Sequence, residues 1–154
     1  MTGRTPVSVA AIALVAGRAS GPVFVLRAPL SFWGGFDVAS GRIIDRRHPQ
    51  MGLTPAGHVL VTEAGKGSSS GSSVLAEAIR LGTGPVGIVL LSRDAILTVG
   101  AMIAAELYGK QCPVVLIEAD DWQRVTCARR LEIIADRDRA SICIEAPVDG
   151  EPGG

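Results

Sequence analysis

A chain of 154 residues with fifteen basic and fifteen acidic side chains is sized for one domain with a real core, expected to occupy about residues 7–146 of 1–154. A formal net charge of zero offers no attraction to nucleic acid or to an anionic membrane, and 47% apolar residues argue against a disordered chain. Cys112, Cys127 and Cys143 form no C-x-x-C pattern, and the only histidines are His48 and His58. Such a set suits buried, inert thiols in a reducing compartment, the cytoplasm, and leaves this chain without a metal site of its own.

Residues 7–16 (VSVAAIALVA) follow Arg4 and imitate the apolar stretch of a secretion signal, with Gly17-Arg18-Ala19 in the place of a cleavage site. The apolar character resumes in VFVLR at 23–27, after Ser20-Gly21-Pro22. Two β-type runs joined by turn residues read more simply as an N-terminal hairpin over 7–27, and the run is too short to cross a bilayer. APLSFWGGFD at 28–37 then sets Phe32, Trp33 and Phe36 around Gly34-Gly35, a loop that is either a plug on the core or the wall of a pocket. RIID at 42–45 is short and partly apolar, and RRHPQMG at 46–52 is a charged loop.

From His58 the periodicity changes. HVLVTE at 58–63 reads as a strand, and Val74, Leu75, Ala78 and Ile79 share one helical face that Gly82 ends. VGIVLL at 86–91 is apolar at nearly every position, as a strand covered on both faces should be. Asp94 is placed to cap a helix that runs to Gly109, and PVVLIE at 113–118 is a further buried strand. These pieces predict two right-handed βαβ units with three parallel strands. After Asp120 a helical run through Arg130 leads to two closing strands, LEIIA and SICIEA, around residues 136–139. Residues 147–154 are expected to be a frayed tail.

Between the first strand and the first helix lies GKGSSSGSS, residues 65–73, at the carboxyl end of a strand, where open α/β sheets place ligands. Three readings compete. A P-loop needs G-x-x-x-x-G-K-[ST], yet Lys66 sits between glycines; Gly65, Gly67 and Gly71 make G-x-G-x-x-x-G, one residue longer than the dinucleotide fingerprint. The loop is otherwise a polar turn that caps a helix, or a seat where one serine acts on a substrate. A serine hydroxyl ionises well above the ~10 of tyrosine, so a base near pH 7 needs more than about 4 kcal/mol of stabilisation. A helix terminus supplies at most about 2 kcal/mol. The remainder requires a cation, and a catalytic Ser68 would share its active site with another polypeptide.

LSFWGGFD (30–37), SGRIID (40–45), His48-Pro49 and GKGSSSGSSVLAEAIR (65–80) together resemble the small, swivelling domain of aconitase X, a likeness that runs from about Val9 to Glu118. The resemblance implies an α/β, aconitase-type swivelling β/β/α domain, here with a parallel βαβαβ core. It aligns Gly67-Ser68-Ser69 with the catalytic Gly-Ser-Ser loop of the wider superfamily, which makes Ser68 the general base. Ser70-Gly71-Ser72 stands where ordinary aconitases have Arg-Glu-His, a departure that puts their substrates in doubt. Lys66, Gly67, Ser69 and Ser70 would bind substrate, with Ser31, Trp33, Gly34, Asp37 and His48 from the earlier loops. Asp37 and His48 would either line the cleft or fix their own loops.

Iron or an iron–sulfur cluster would be held by cysteines of a large subunit, the partner this domain requires, and none by this chain. The implied reaction is dehydration of a small β-hydroxy carboxylate. In this family the substrate is cis-3-hydroxy-L-proline or 5-phosphomevalonate, and the Ala, Gly and Arg content, which suits a GC-rich bacterium, favours the former. The non-enzymatic alternative is a module that only binds a partner or a small acid.

Overall fold

The structure is a computed structural model that describes residues 7–145; the tail expected at 147–154 lies outside them. Seven strands close into a barrel: β1 (Val7–Val15), β2 (Gly17–Val25), β5 (Val59–Thr62), β6 (Gly87–Leu90), β7 (Val114–Leu116), β8 (Arg130–Asp136) and β9 (Arg139–Glu145), in the spatial order β1-β7-β6-β5-β2-β8-β9. A two-stranded ribbon, β3 (Phe36–Asp37) with β4 (Arg42–Ile43), stands apart from it.

Strands β5, β6 and β7 pair in parallel and are linked by α2 (Gly71–Leu81) and α3 (Ala95–Tyr108). Every residue of β5 and β6 is buried, and their side chains alternate between two cores. Val59, Val61, Val89 and Val115 point into the barrel with Leu131, Ile133 and Ile142. Leu60, Ile88 and Leu90 point outward, against Leu75, Ile79, Leu97 and Ala101 of the two helices. The apolar runs at 86–91 and 113–118 are continuous because both faces are covered. Gly82 and Gly109, both left-handed, end α2 and α3 with their N–H groups returned to carbonyls of the last turn.

The N-terminal hairpin expected over 7–27 is not formed. Strand β1 pairs with β7 and β9, while β2 pairs with β5 and β8, so the two are neighbours in sequence and not in the sheet. Only Ala16 separates them, fewer than the two residues a tight hairpin turn needs. The chain therefore turns a corner, and the hairpin β8–β9 fills the gap that opens. Its own turn is Arg137-Asp138, with Arg137 at φ 56, and the Asp138 carbonyl accepts the Ala13 N–H at 3.0 Å beside the corner. This wedge also replaces the open sheet with a closed barrel. The later helical run is shorter than expected, a 3-10 turn at Ala119–Asp121 leading into α4 (Trp122–Thr126).

The cysteines divide. Cys112 is fully buried and burial alone pushes its thiol up to about 12. Cys127, just after α4, is exposed and Cys143 is half-buried, so the expectation of three buried thiols fails for these two. All three are free. No described helix is long and apolar enough to cross a membrane.

Candidate functional site

The serine loop starts where β5 ends. Glu63 O accepts the Ser92 N–H at 2.8 Å, which ties the end of β5 to the β6–α3 connection. The Gly65 N–H then donates to Asp94 Oδ2 at 2.7 Å, while Asp94 Oδ1 accepts the Leu97 N–H at 2.8 Å and caps α3. The cap was legible from the sequence; the second oxygen's bond to the loop was not, because residues 65 and 94 have no local relation.

The next five residues, from Lys66 to Ser70, are exposed. Gly67 has φ +96, a left-handed conformation in which a side chain is strained, and a Cβ built there would lie 2.8 Å from Ser31 Cβ. Ser31 and Gly67, both expected at the site, are thus in direct contact. At Ser68 the chain begins to coil: the Gly71 N–H donates to Ser68 O at 2.9 Å and the Ser72 N–H to Ser69 O at 3.1 Å. Ser68 Oγ accepts the Ser70 N–H at 3.1 Å, so its hydroxyl caps this opening turn. Ser70, the residue before α2, makes no side-chain cap of its own.

The first turn of α2 contains no acidic residue. The positive end of the helix dipole therefore meets no carboxylate from its own first turn, and negative charge at Ser68 Oγ or on a bound carboxylate is favoured there. That end is held rigidly: Ser72, buried, donates from Oγ to Ile96 O at 2.7 Å.

The aromatic loop divides between a buried pair of rings and an exposed one. Phe32 and Phe36 are buried, their ring centroids 4.9 Å apart, and plug the core above α2. Trp33 is 60% exposed. A kinked helical turn, α1 (Phe32–Gly35), brings it there, with Gly34 at φ 87 and the Trp33 carbonyl accepting Ser31 Oγ–H at 2.9 Å. A Cβ on Gly71 would lie 3.6 Å from Trp33 N, which sets Trp33 beside the start of α2.

Asp37 and His48 are engaged within their own loops. Asp37 Oδ2 accepts the Ser40 hydroxyl at 2.6 Å and the Ser40 N–H at 3.1 Å, and these bonds hold its carboxyl below the usual range. His48 is buried; its Nδ1 accepts the Gln50 N–H at 3.1 Å and its Nε2 faces Ala28 O at 2.8 Å, so the partners assign the Nε2–H tautomer. Gln50, which sequence reasoning passed over, continues the fastening: its amide nitrogen donates to Val25 O and its oxygen accepts the Arg27 N–H, both at 2.9 Å. Buried and fully bonded, Gln50 left no signal in a loop that reads as charged and solvated.

Among the described residues no group of three or more His, Cys, Asp or Glu side chains is arranged to hold a metal ion. The described part of the chain offers no fit for iron or an iron–sulfur cluster.

Comparison with known proteins places this geometry in a family. The model of the aconitase X swivel domain matches residues 8–142. The chain is 38% identical over 121 residues to a cis-3-hydroxy-L-proline dehydratase of Hypocrea jecorina, which covers 79% of this chain but only 20% of that protein. It is 42% identical over 88 residues to the phosphomevalonate dehydratase small subunit of Methanothermobacter thermautotrophicus, covering 57% of this chain and 67% of the relative. The crystal structure of Thermococcus kodakaraensis aconitase X in its holo-form is similar with a TM-score of 0.70 and 28% identity, covering 88% of this chain and 98% of that one. This chain belongs to the aconitase X swivel-domain family.

Proposed function

We propose that the whole chain, 1–154, is one swivel domain that acts as the small subunit of a two-subunit aconitase X-type hydro-lyase, with Ser68 as general base. The observation that carries the reading is the seat of Ser68: exposed, at the start of α2, its Oγ accepting an N–H from a helix end whose first turn holds no acidic residue. In the proposed step the Ser68 alkoxide takes the proton α to the substrate carboxylate. The C–H electron pair becomes the new double bond as the β-hydroxyl departs, and Ser68 is left protonated. Loop N–H groups receive the carboxylate, and Trp33, Ser31, Lys66, Ser69 and Ser70 form the near wall. Iron or an iron–sulfur cluster is assigned to the large subunit and supplies Lewis-acid chemistry at the leaving hydroxyl.

The favoured substrate is cis-3-hydroxy-L-proline, giving pyrroline-2-carboxylate, because the fungal relative of that name aligns over 79% of this chain. The second reading is phosphomevalonate, supported by relatives that are themselves small subunits of similar length, one of them aligned over 86% of its own chain. Asp37 and His48 are read as fasteners of their loops.

The test is co-expression with a large aconitase X-type subunit, followed by size-exclusion chromatography and assay on both substrates. A stable complex that dehydrates hydroxyproline supports the reading, and turnover of phosphomevalonate instead selects the second one. A chain that stays apart from the large subunit leaves a binding module and sinks both.

A further inference from the structure

The carboxylate of Asp94 is shared. A helix cap needs one acceptor, and Asp94 Oδ1 fills that place for Leu97; Oδ2 is turned to the Gly65 N–H at 2.7 Å, across 29 residues of sequence. The approach is close enough that a Cβ on Gly65 would lie 2.8 Å from Oδ2 and 3.0 Å from Oδ1. At its far end the loop meets the same turn of α3 again, through Ser72 Oγ and Ile96 O at 2.7 Å. Residues 66–71 therefore arch between two feet, both standing on the first turn of α3. Ser68 is inside the arch, and its own described hydrogen bonds reach only Ser70 and Gly71. Its position relative to the barrel is set by those feet together with the Ser31–Gly67 contact.

We infer that Asp94 is a positioning residue for Ser68, its two oxygens tying the serine loop to the helix beside it. Only a carboxylate offers two acceptors and no donor at this place; Asn keeps one acceptor and presents an N–H₂ to the other N–H, and Ser keeps one short hydroxyl. The consequence for turnover rests on the reading of Ser68 as base, whereas the consequence for loop order does not.

The experiment uses Asp94→Ser and Asp94→Asn, each of which retains a cap for α3, and Gly65→Ala, which displaces the carboxylate from the other side. In the intact chain, amide exchange at Ser70 and Gly71 is expected to accelerate at least tenfold, with protection at Leu97–Gly100 within twofold of wild type. In the complex with the large subunit, with cis-3-hydroxy-L-proline and 5-phosphomevalonate as probes, kcat is expected to fall at least tenfold with KM within threefold. Unchanged exchange at Ser70 and Gly71, or equal acceleration along α3, overturns the inference, as does an unchanged kcat in a complex that Ser68→Ala inactivates; an unchanged kcat where Ser68→Ala is also active counts against Ser68 as base instead. Faster loop exchange in a variant whose wild-type complex turns over neither probe upholds the tie and counts against the dehydratase reading instead.

Discussion

Ser31 occupies the space that a side chain on Gly67 would need: a Cβ there would lie 2.8 Å from Ser31 Cβ. The contact joins the aromatic loop to the serine loop one residue before Ser68. Gly67→Ala is predicted to lower turnover of the complex about 100-fold, since the left-handed backbone costs about 1–2 kcal/mol with a side chain and the clash moves the loop. Adding Ser31→Gly removes the clash but not the backbone strain, so steady-state kinetics of the double variant should show partial recovery. No recovery would mean that the two loops are not coupled through this contact.

His48 gives a prediction of the opposite kind. Its two nitrogens serve Gln50 N–H and Ala28 O in a buried setting. His48→Ala is expected to lower stability by about 1–3 kcal/mol by stranding both groups. The KM of the complex should stay within about twofold, read from urea melts and initial rates. A large rise in KM without loss of stability would place the imidazole against substrate.

Cys112 links stability to alkaline pH. The thiol ionises near 9 in an unfolded chain and at about 12 in the folded one, so above pH 9 the unfolded state binds fewer protons. The stabilisation is complete below pH 9 and is lost as pH rises toward 12, by on the order of 1 kcal/mol per pH unit. The urea midpoint of wild type should fall more between pH 8 and 10 than that of Cys112→Ala. Thiol labelling below pH 9 should modify Cys127 quickly and Cys112 only on unfolding; equal slopes and equal labelling would contradict the burial argument.

What the sequence revealed and what it hid follow from the range of the interactions. The βα elements from β5 to β7 were legible because periodicity, the Asp94 cap and the closing glycines at 82 and 109 are all local signals. The pairing of β1 with β7 and β9 was not, since nothing in residues 7–15 marks partners 99 or more residues away. Likewise the serine loop was legible as a helix start, and its resemblance singled out Ser68. Its supports, Asp94 Oδ2, Ser72 and Ile96, are long-range contacts between residues that each look ordinary in the chain.

The proposed abstraction of the substrate proton by Ser68 is tested most directly by removing its hydroxyl. Ser68→Ala, assembled with the large subunit, should elute as the wild-type complex does and dehydrate cis-3-hydroxy-L-proline at least about 1,000-fold more slowly, a general-base loss of the usual size. An assembled Ser68→Ala complex that turns over at close to the wild-type rate would contradict it.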